Sequence, residues 1–137
     1  MKRLLILIPL LLLMAGCGTA KTTAPASGPG SAGEPIVVDA TVLVKDFDAN
    51  KINAQDKYNG KVVQTAGFVS NISSALDNFY IQFKPTADPY YFGTSFQCYV
   101  SKEDAAAVAN GQQVTVKGTV DDALATLIQM KDCSVVK

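Results

Sequence analysis

Histidine is absent from this 137-residue sequence, and Arg3 is its only arginine. Without histidine, the chain lacks the most common metal ligand and general base of proteins. Arginine is the main bidentate reader of nucleic-acid bases, and cations that meet phosphates supply much of the affinity for DNA and RNA. We therefore predict no metal site and no cofactor, and we regard nucleic acid as a poor candidate partner.

The residues of a catalytic site are also missing. No Cys-x-x-Cys motif occurs, and no histidine is available to activate a cysteine thiolate. Aspartates and lysines are present, but none is spaced as a nucleophile-base pair or as a set of metal ligands. We predict that the protein is not an enzyme and that it has no catalytic residue.

The amino terminus has the pattern of an export signal. Lys2 and Arg3 precede a run from Leu4 to Ala15 that is apolar apart from one proline. The run is shorter than the roughly 18 residues that a membrane-spanning helix needs, which argues against an uncleaved anchor helix. A charged start, a short apolar segment and small residues at its end predict a signal peptide over residues 1–16.

The end of this signal resembles the bacterial lipobox, whose commonest form is leucine-alanine-glycine-cysteine. Ala15, Gly16 and Cys17 match it, Met14 stands in place of the commonest leucine, and Leu13 comes just before. The resemblance implies that the Cys17 thiol receives a diacylglycerol and that cleavage then leaves Cys17 as the first residue. Two or more acyl chains anchor a protein stably, at ~0.8 kcal/mol per buried methylene. The alternative is an ordinary export signal without a lipid.

Residues 17–38 are rich in glycine, serine, threonine, alanine and proline and have almost no charge. Such a composition cannot bury a core, so we predict a lipidated amino terminus followed by a flexible linker. Residues 39–137 then form one folded domain. The interpretation places the protein in the cell envelope, held to a membrane by its lipid and facing the periplasm or the cell exterior.

Within the domain, Asp39, Asn50 and Ser101 are each predicted to cap the start of a short helix. Alternation of apolar and polar residues predicts five strands, within residues 62–72, 78–83, 96–100, 113–120 and 126–136. The alternation changes phase after Met130, which predicts a β-bulge near Lys131 and Asp132.

The order is therefore a helical segment, three strands, a helix and two strands. Five strands with a helix between the third and the fourth is the plan of the OB-fold, a small Greek-key barrel in an otherwise mainly β protein. An open α+β sandwich built from the same strands is the alternative.

Residues 39–137 also resemble the tRNA anticodon-binding-like OB-fold family of small exported bacterial proteins. The resemblance is carried mostly by turn and core residues, so it implies a fold and not a reaction. The matching positions are Asn50, Ala54, Lys57, Tyr58, Gly60, Lys61, Val62, Val63, Gly67, Val69, Ile72, Gln97, Cys98, Tyr99, Gly111, Gln112, Val114, Thr115, Val116, Lys117, Gly118, Asp132 and Cys133.

Two cysteines remain once Cys17 is assigned to the lipid. Cys98 and Cys133 lie on the third and fifth predicted strands, which are neighbours in an OB barrel. An even pair in an exported domain is a disulfide candidate. The alternative is two buried free thiols that only pack against their neighbours.

OB-folds usually bind ligands on the outer face of the second and third strands and in adjoining loops. The alternation places Tyr80, Gln82, Gln97 and Tyr99 on that face, and Tyr91 lies in the loop between the two strands. Aromatic faces beside amides can stack on rings and hydrogen-bond to their edges. Strand tyrosines also occur without any binding role.

Taken together, these features favour a non-catalytic binding module for an envelope glycan or protein. One alternative is a structural or accessory subunit of an envelope complex, which would assemble with a protein partner without a further ligand. Another is an OB domain that binds nucleic acid weakly.

Overall fold

The computed structural model describes residues 33–137, a mainly β domain with three short helices. Most of the predicted linker, Cys17 and the signal peptide lie outside the described residues. Within the described part, no helix is long and apolar enough to cross a membrane. The elements in chain order are β1 (Ile36–Val37), α1 (Ala40–Ala49), α2 (Lys51–Tyr58), β2 (Val62–Ala75), β3 (Asn78–Lys84), β4 (Ser95–Val100), α3 (Lys102–Ala106), β5 (Gln113–Leu124) and β6 (Leu127–Val135).

All three helices begin at the residues that the sequence predicts. The side chains of Asp39, Asn50 and Ser101 accept hydrogen bonds from backbone N–H groups two or three residues ahead, at 2.8, 3.1 and 3.1 Å. Each cap satisfies a donor that has no partner inside its helix. On α1, Leu43 and Phe47 lie four residues apart and are both buried, so one face of this helix packs on the core.

The six strands form one mixed sheet in the order β1-β2-β3-β4-β6-β5, and β2 also pairs with β5. The five long strands therefore pair in a closed cycle. Most neighbours are antiparallel, whereas β4 and β6 are parallel, as are β1 and β2. The prediction of five strands is wrong in number because the two-residue strand β1 is added beside β2. A strand of two residues has no alternation to detect, and it lies inside the predicted linker.

Apolar side chains of the long strands alternate inward, as their sequence pattern predicts. Phe83 and Phe96 are fully buried, and their rings stack with centroids 5.0 Å apart. Gly67 on β2 leaves room for this pair, since a Cβ atom built there would lie 2.6 Å from Cζ of Phe96. The core thus needs glycine at this position for close approach.

A bulge interrupts β6 where the change of phase predicts it. Lys117 on β5 pairs with Ser134, but Thr119 pairs with Lys131, so β6 has an extra residue between these pairs. Asp132 within the bulge has φ of 51°, in the left-handed region. Because of the bulge, Cys133 turns inward and is buried.

A polar cluster joins α1 to α2 at the surface. Asp46 accepts hydrogen bonds from Nζ of Lys57 at 2.8 Å and from Oη of Tyr58 at 2.7 Å. These two donors favour the ionised carboxylate and lower the pKa of Asp46. A carboxyl whose pKa is lower in the folded state stabilises the fold only while it is ionised.

We therefore expect Asp46→Asn to lower the free energy of unfolding at neutral pH. The difference from the wild type should narrow as the pH falls below about 4, because the wild-type carboxyl is then protonated in the unfolded state and gradually in the folded state too. Urea unfolding at several pH values measures this difference in the free energy of unfolding. Asp56→Asn is the control, and a difference that stays constant between pH 7 and pH 2 would contradict the role assigned to Asp46.

Candidate functional site

The outer face of β3 and β4 has an aromatic pair at its centre. Tyr80 and Tyr99 are direct partners in the antiparallel register. Their rings meet edge to face, with centroids 6.1 Å apart and planes at 62°. Tyr99 is 37% exposed and Tyr80 is half-buried. The structure thus brings together two of the predicted ligand-binding residues and leaves part of their ring surface accessible to a ligand.

A row of amide side chains runs across the same face, two residues along each strand from the tyrosines. Asn71 pairs with Gln82, Gln82 with Gln97, and Gln97 with Gln129. The row therefore crosses four strands, β2, β3, β4 and β6. With strands about 4.8 Å apart, four amides span about 14 Å. We call Asn71, Gln82, Gln97 and Gln129 the amide row.

Two members of the amide row, Asn71 and Gln129, are not among the residues predicted from the sequence. The inward alternation of Ile128 and Met130 already places Gln129 on the outer face. Its alignment with Gln97 depends on the parallel register of β4 and β6, which a sequence does not specify. Asn71 follows a register shift in β2 after Val69, so simple alternation does not place it.

The amides of the row differ in their hydrogen bonds. Nε2 of Gln82 donates to Oγ of Ser95 at 3.3 Å, which fixes the orientation of this amide. Gln97 is 9% exposed, whereas simple alternation predicts a more open position. Within residues 33–137, the only buried side-chain polar atoms without a partner are on Asn59 and Thr65.

The Gln97 amide also has no hydrogen-bond partner among the described residues, so its polar atoms must remain in contact with solvent. The residue as a whole is nevertheless more than nine-tenths buried. An amide held in this way offers a ligand two N–H donors and one carbonyl acceptor.

Two lysines, Lys84 and Lys131, lie next to the amide row on the outer face. Lys84 follows Gln82 by two residues on β3, and its Nζ donates at 2.7 Å to the backbone oxygen of Asp88, not to a carboxylate. Lys131 lies two residues after Gln129 on β6, and its Nζ is 2.6 Å from Oδ1 of Asp121. This contact raises the pKa of Lys131, which therefore stays protonated beside its carboxylate. At the same end of the row, Asp122 pairs with Gln129 and accepts a 3.4 Å hydrogen bond from Gln55. Of the two lysines, only Lys84 has no carboxylate partner among the described residues.

Tyr91, the ligand-binding residue predicted in the loop between the two strands, packs toward α1. Its Oη donates to the backbone oxygen of Thr94 at 2.9 Å, and Oγ1 of Thr94 donates to Asp48 on α1 at 2.5 Å. These contacts turn the β3–β4 loop toward α1. Tyr91 there lines a cavity of about 390 Å³ together with α1 residues that include Val42 and Lys45.

Burial, and to a smaller extent the charge of Asp48, raise the pKa of Tyr91. The phenol therefore stays protonated and keeps its hydrogen bond to Thr94. Tyr90 and Phe92 on either side are 79% and 91% exposed. The rings of Tyr90 and Phe92 are therefore free at the loop, whereas Tyr91 packs toward α1 and does not extend the face formed by Tyr80 and Tyr99.

Cys98 and Cys133 are buried free thiols, so the predicted disulfide is not formed in this structure. Sγ of Cys98 lies 3.9 Å from Sδ of Met130. Burial, reinforced by the contact with Cys133, raises the pKa of Cys98 well above its usual value. A thiol that stays protonated is a weak nucleophile. The observed arrangement is the alternative of two packed thiols.

Among the described residues, no three histidine, cysteine, aspartate or glutamate side chains are grouped so that they could hold a metal ion. The model of the tRNA_anti-like family matches residues 1–134. The chain belongs to the tRNA_anti-like family. Membership supports a binding domain with an OB-like fold. In OB-folds, the face that corresponds to the outer face of β3 and β4 is the usual binding surface.

Solved structures resemble this tRNA_anti-like protein at low sequence identity. A lipoprotein from Klebsiella pneumoniae, which carries nucleic-acid binding as a provisional assignment, is 20% identical with a TM-score of 0.62. The alignment covers 75% of this chain and 92% of that chain, and it shows a shared fold. An OBody bound to hen egg-white lysozyme is 15% identical over 59% of this chain and 86% of that chain, with a TM-score of 0.44. No curated protein matches the chain by sequence.

Proposed function

We propose that this tRNA_anti-like protein is a lipoprotein of the cell envelope whose OB-fold head is a non-catalytic binding module for an envelope glycan or protein. A signal peptide over residues 1–16 would direct export, and acylated Cys17 would anchor the chain. Residues 17–38 would connect the anchor to the folded head. The lipobox-like sequence supports the anchor, and the lipoprotein with the same fold in Klebsiella pneumoniae is consistent with it.

The single observation that carries the binding role is the aromatic pair on the outer face of β3 and β4. Tyr80 and Tyr99 present ring surface on the face that OB-folds commonly use for oligosaccharides and oligonucleotides. Rings of this kind can stack on the apolar faces of sugars, while neighbouring amides hydrogen-bond to sugar hydroxyls. The pair thus combines apolar area with nearby hydrogen-bonding groups.

The same face argues for an uncharged ligand over a nucleic acid. Lys131 is paired with Asp121, which leaves Lys84 as the one cation of the face without a carboxylate partner among the described residues. Arg3, the only arginine, precedes the proposed lipid anchor. Binding to nucleic acid depends strongly on cations that replace the counterions of phosphates. The nucleic-acid assignment of the Klebsiella pneumoniae lipoprotein is therefore not the function that we propose for this chain.

The experiment compares wild-type protein with the double variant Tyr80→Ala/Tyr99→Ala, both full length and purified in detergent. We expect the wild type to be retained on immobilised bacterial envelope polysaccharides. The double variant should bind at least roughly tenfold more weakly, since it loses two stacking contacts. Equilibrium binding isotherms on each polysaccharide give the ratio.

The matched control is Tyr90→Ala/Phe92→Ala, which removes two exposed aromatic rings from the β3–β4 loop and should leave binding unchanged. Equal retention of the wild type and the Tyr80→Ala/Tyr99→Ala variant would reject the aromatic pair as the binding surface. If the wild type binds no polysaccharide but crosslinks in whole cells to one protein, the glycan ligand is rejected and the accessory-subunit alternative is favoured.

A further inference from the structure

We infer that the amide row selects glycans that carry acetamido groups, so that the ligand is an N-acetylated amino-sugar oligomer lying across the strands. This inference rests on the proposed function, because it assigns a ligand class to the same face. It is based on a different set of residues from the aromatic pair. The structure aligns these residues, whereas the sequence interpretation named only two of them.

The first argument is the regularity of the amide row. Asn71, Gln82, Gln97 and Gln129 come from four strands and are joined by three successive register pairs. Because adjacent strands lie about 4.8 Å apart, the row repeats its hydrogen-bonding groups at a constant interval. Consecutive sugar rings of an extended glycan can follow such an interval, with one ring over each strand.

The second argument is chemical complementarity. A side-chain amide has N–H donors and a carbonyl acceptor, and an acetamido group likewise has one N–H and one carbonyl. The two groups can therefore form a reciprocal pair of hydrogen bonds. Gln97 is suited to this role, since its amide has no hydrogen-bond partner among the described residues although the residue is only 9% exposed.

The third argument is the relation of the row to the tyrosines. Tyr80 lies two residues before Gln82 on β3, and Tyr99 lies two residues after Gln97 on β4. Both rings therefore flank the amide row on one side, at about 7 Å along the strands. A sugar ring that packs on the tyrosines would direct the substituents on its edge toward the amides.

The fourth argument is charge. Asn71, Gln82, Gln97 and Gln129 are all neutral, and Lys131 beside the row is paired with Asp121. Lys84 beside Gln82 is the one cation of this face without a carboxylate partner among the described residues, which is few for a strongly anionic polymer whose counterions must be replaced. N-acetylated amino sugars are neutral and carry the hydrogen-bonding group that the row complements.

The experiment measures binding of full-length protein in detergent to N,N′,N″-triacetylchitotriose and to cellotriose. These trisaccharides differ only in having an acetamido group or a hydroxyl on each ring. We expect the wild type to bind the acetylated sugar roughly tenfold more tightly, corresponding to one or two net hydrogen bonds. Gln97→Leu should remove this preference, since leucine fills a similar volume but has no hydrogen-bonding group.

Gln129→Leu is the second variant. Gln129 is half-buried, so its substitution is less of a risk to folding, and it should also weaken the preference for the acetylated sugar. Gln113→Leu is the matched control, because Gln113 is an exposed residue at the start of β5 and lies outside the amide row. This variant should keep the preference for the acetylated sugar. In the wild type, the side-chain NH₂ resonances of Gln97 and Gln129 should shift during the titration with triacetylchitotriose. The Gln113 resonance should not.

Equal affinity for the two trisaccharides, both dependent on Tyr80 and Tyr99, would overturn the selectivity and leave the proposed function standing. If neither trisaccharide binds but envelope polysaccharides are still retained through the tyrosines, the acetamido inference again fails alone. If no tyrosine-dependent retention occurs on any polysaccharide, the proposed glycan binding fails as well.

Discussion

Phe96→Ala is expected to lower the free energy of unfolding by about 3–5 kcal/mol, the range for removal of a buried phenylalanine ring. Phe96 is fully buried on β4, and its ring stacks on Phe83. Gly67 approaches the ring from β2, so the surrounding backbone already lies against it and has little room to collapse further. The cavity left by alanine should therefore persist. Equilibrium urea unfolding measures the change from the midpoint and slope.

Phe92→Ala is the matched control, because the same ring is removed at a position that is 91% exposed. Its free energy of unfolding should stay within about 0.5 kcal/mol of the wild type, as for most surface substitutions. If the two variants were equally stable, the packing of Phe96 against Gly67 and Phe83 would not have the energetic role that we give it.

Cys17→Ala is expected to move the protein from the membrane fraction to the soluble fraction almost completely. If two or more acyl chains are attached at Cys17, they supply nearly all the membrane affinity, at ~0.8 kcal/mol for each buried methylene. Without the thiol, no thioether to the lipid can form. Fractionation of the native host followed by immunoblotting measures the distribution, and mass spectrometry of the wild type tests for the acylated amino terminus.

Cys133→Ala is the control for this experiment, since it removes a thiol from the folded head and leaves Cys17 in place. It should remain in the membrane fraction. If Cys17→Ala protein still sediments with the membrane, or if wild-type Cys17 has a free thiol, the lipid anchor is wrong. The lipid anchor would then no longer explain how the binding face on β3 and β4 is brought to a ligand in the cell envelope.

Features that depend on neighbours in sequence were predicted well. The helix caps at Asp39, Asn50 and Ser101 are formed within three residues, so composition and spacing are enough to locate them. The inward alternation on the long strands is equally local, because successive side chains on a strand point to opposite faces. The bulge near Asp132 was visible as a change of phase in the same alternation.

Features that depend on distant contacts could not be predicted. The sequence places Tyr91 in the β3–β4 loop but does not give the direction of that loop, which the contact between Thr94 and Asp48, far apart in the chain, turns toward α1. Gln129 joins the site only through the parallel register of β4 and β6. Strand β1 depends entirely on its pairing with β2, since two residues have no pattern of their own.

The pairing of β2 with β5 has a consequence for how the domain folds. Val62 pairs with Thr119, so this part of the sheet forms only after the chain has closed a very long loop. Contacts between distant segments slow folding, and proteins dominated by them fold in about milliseconds to seconds. A shortened chain that ends before Gln113 would leave β2 with an open edge, and such edges are sites of aggregation. Strand β2 therefore depends on β5, near the end of the chain, for the protection of its edge.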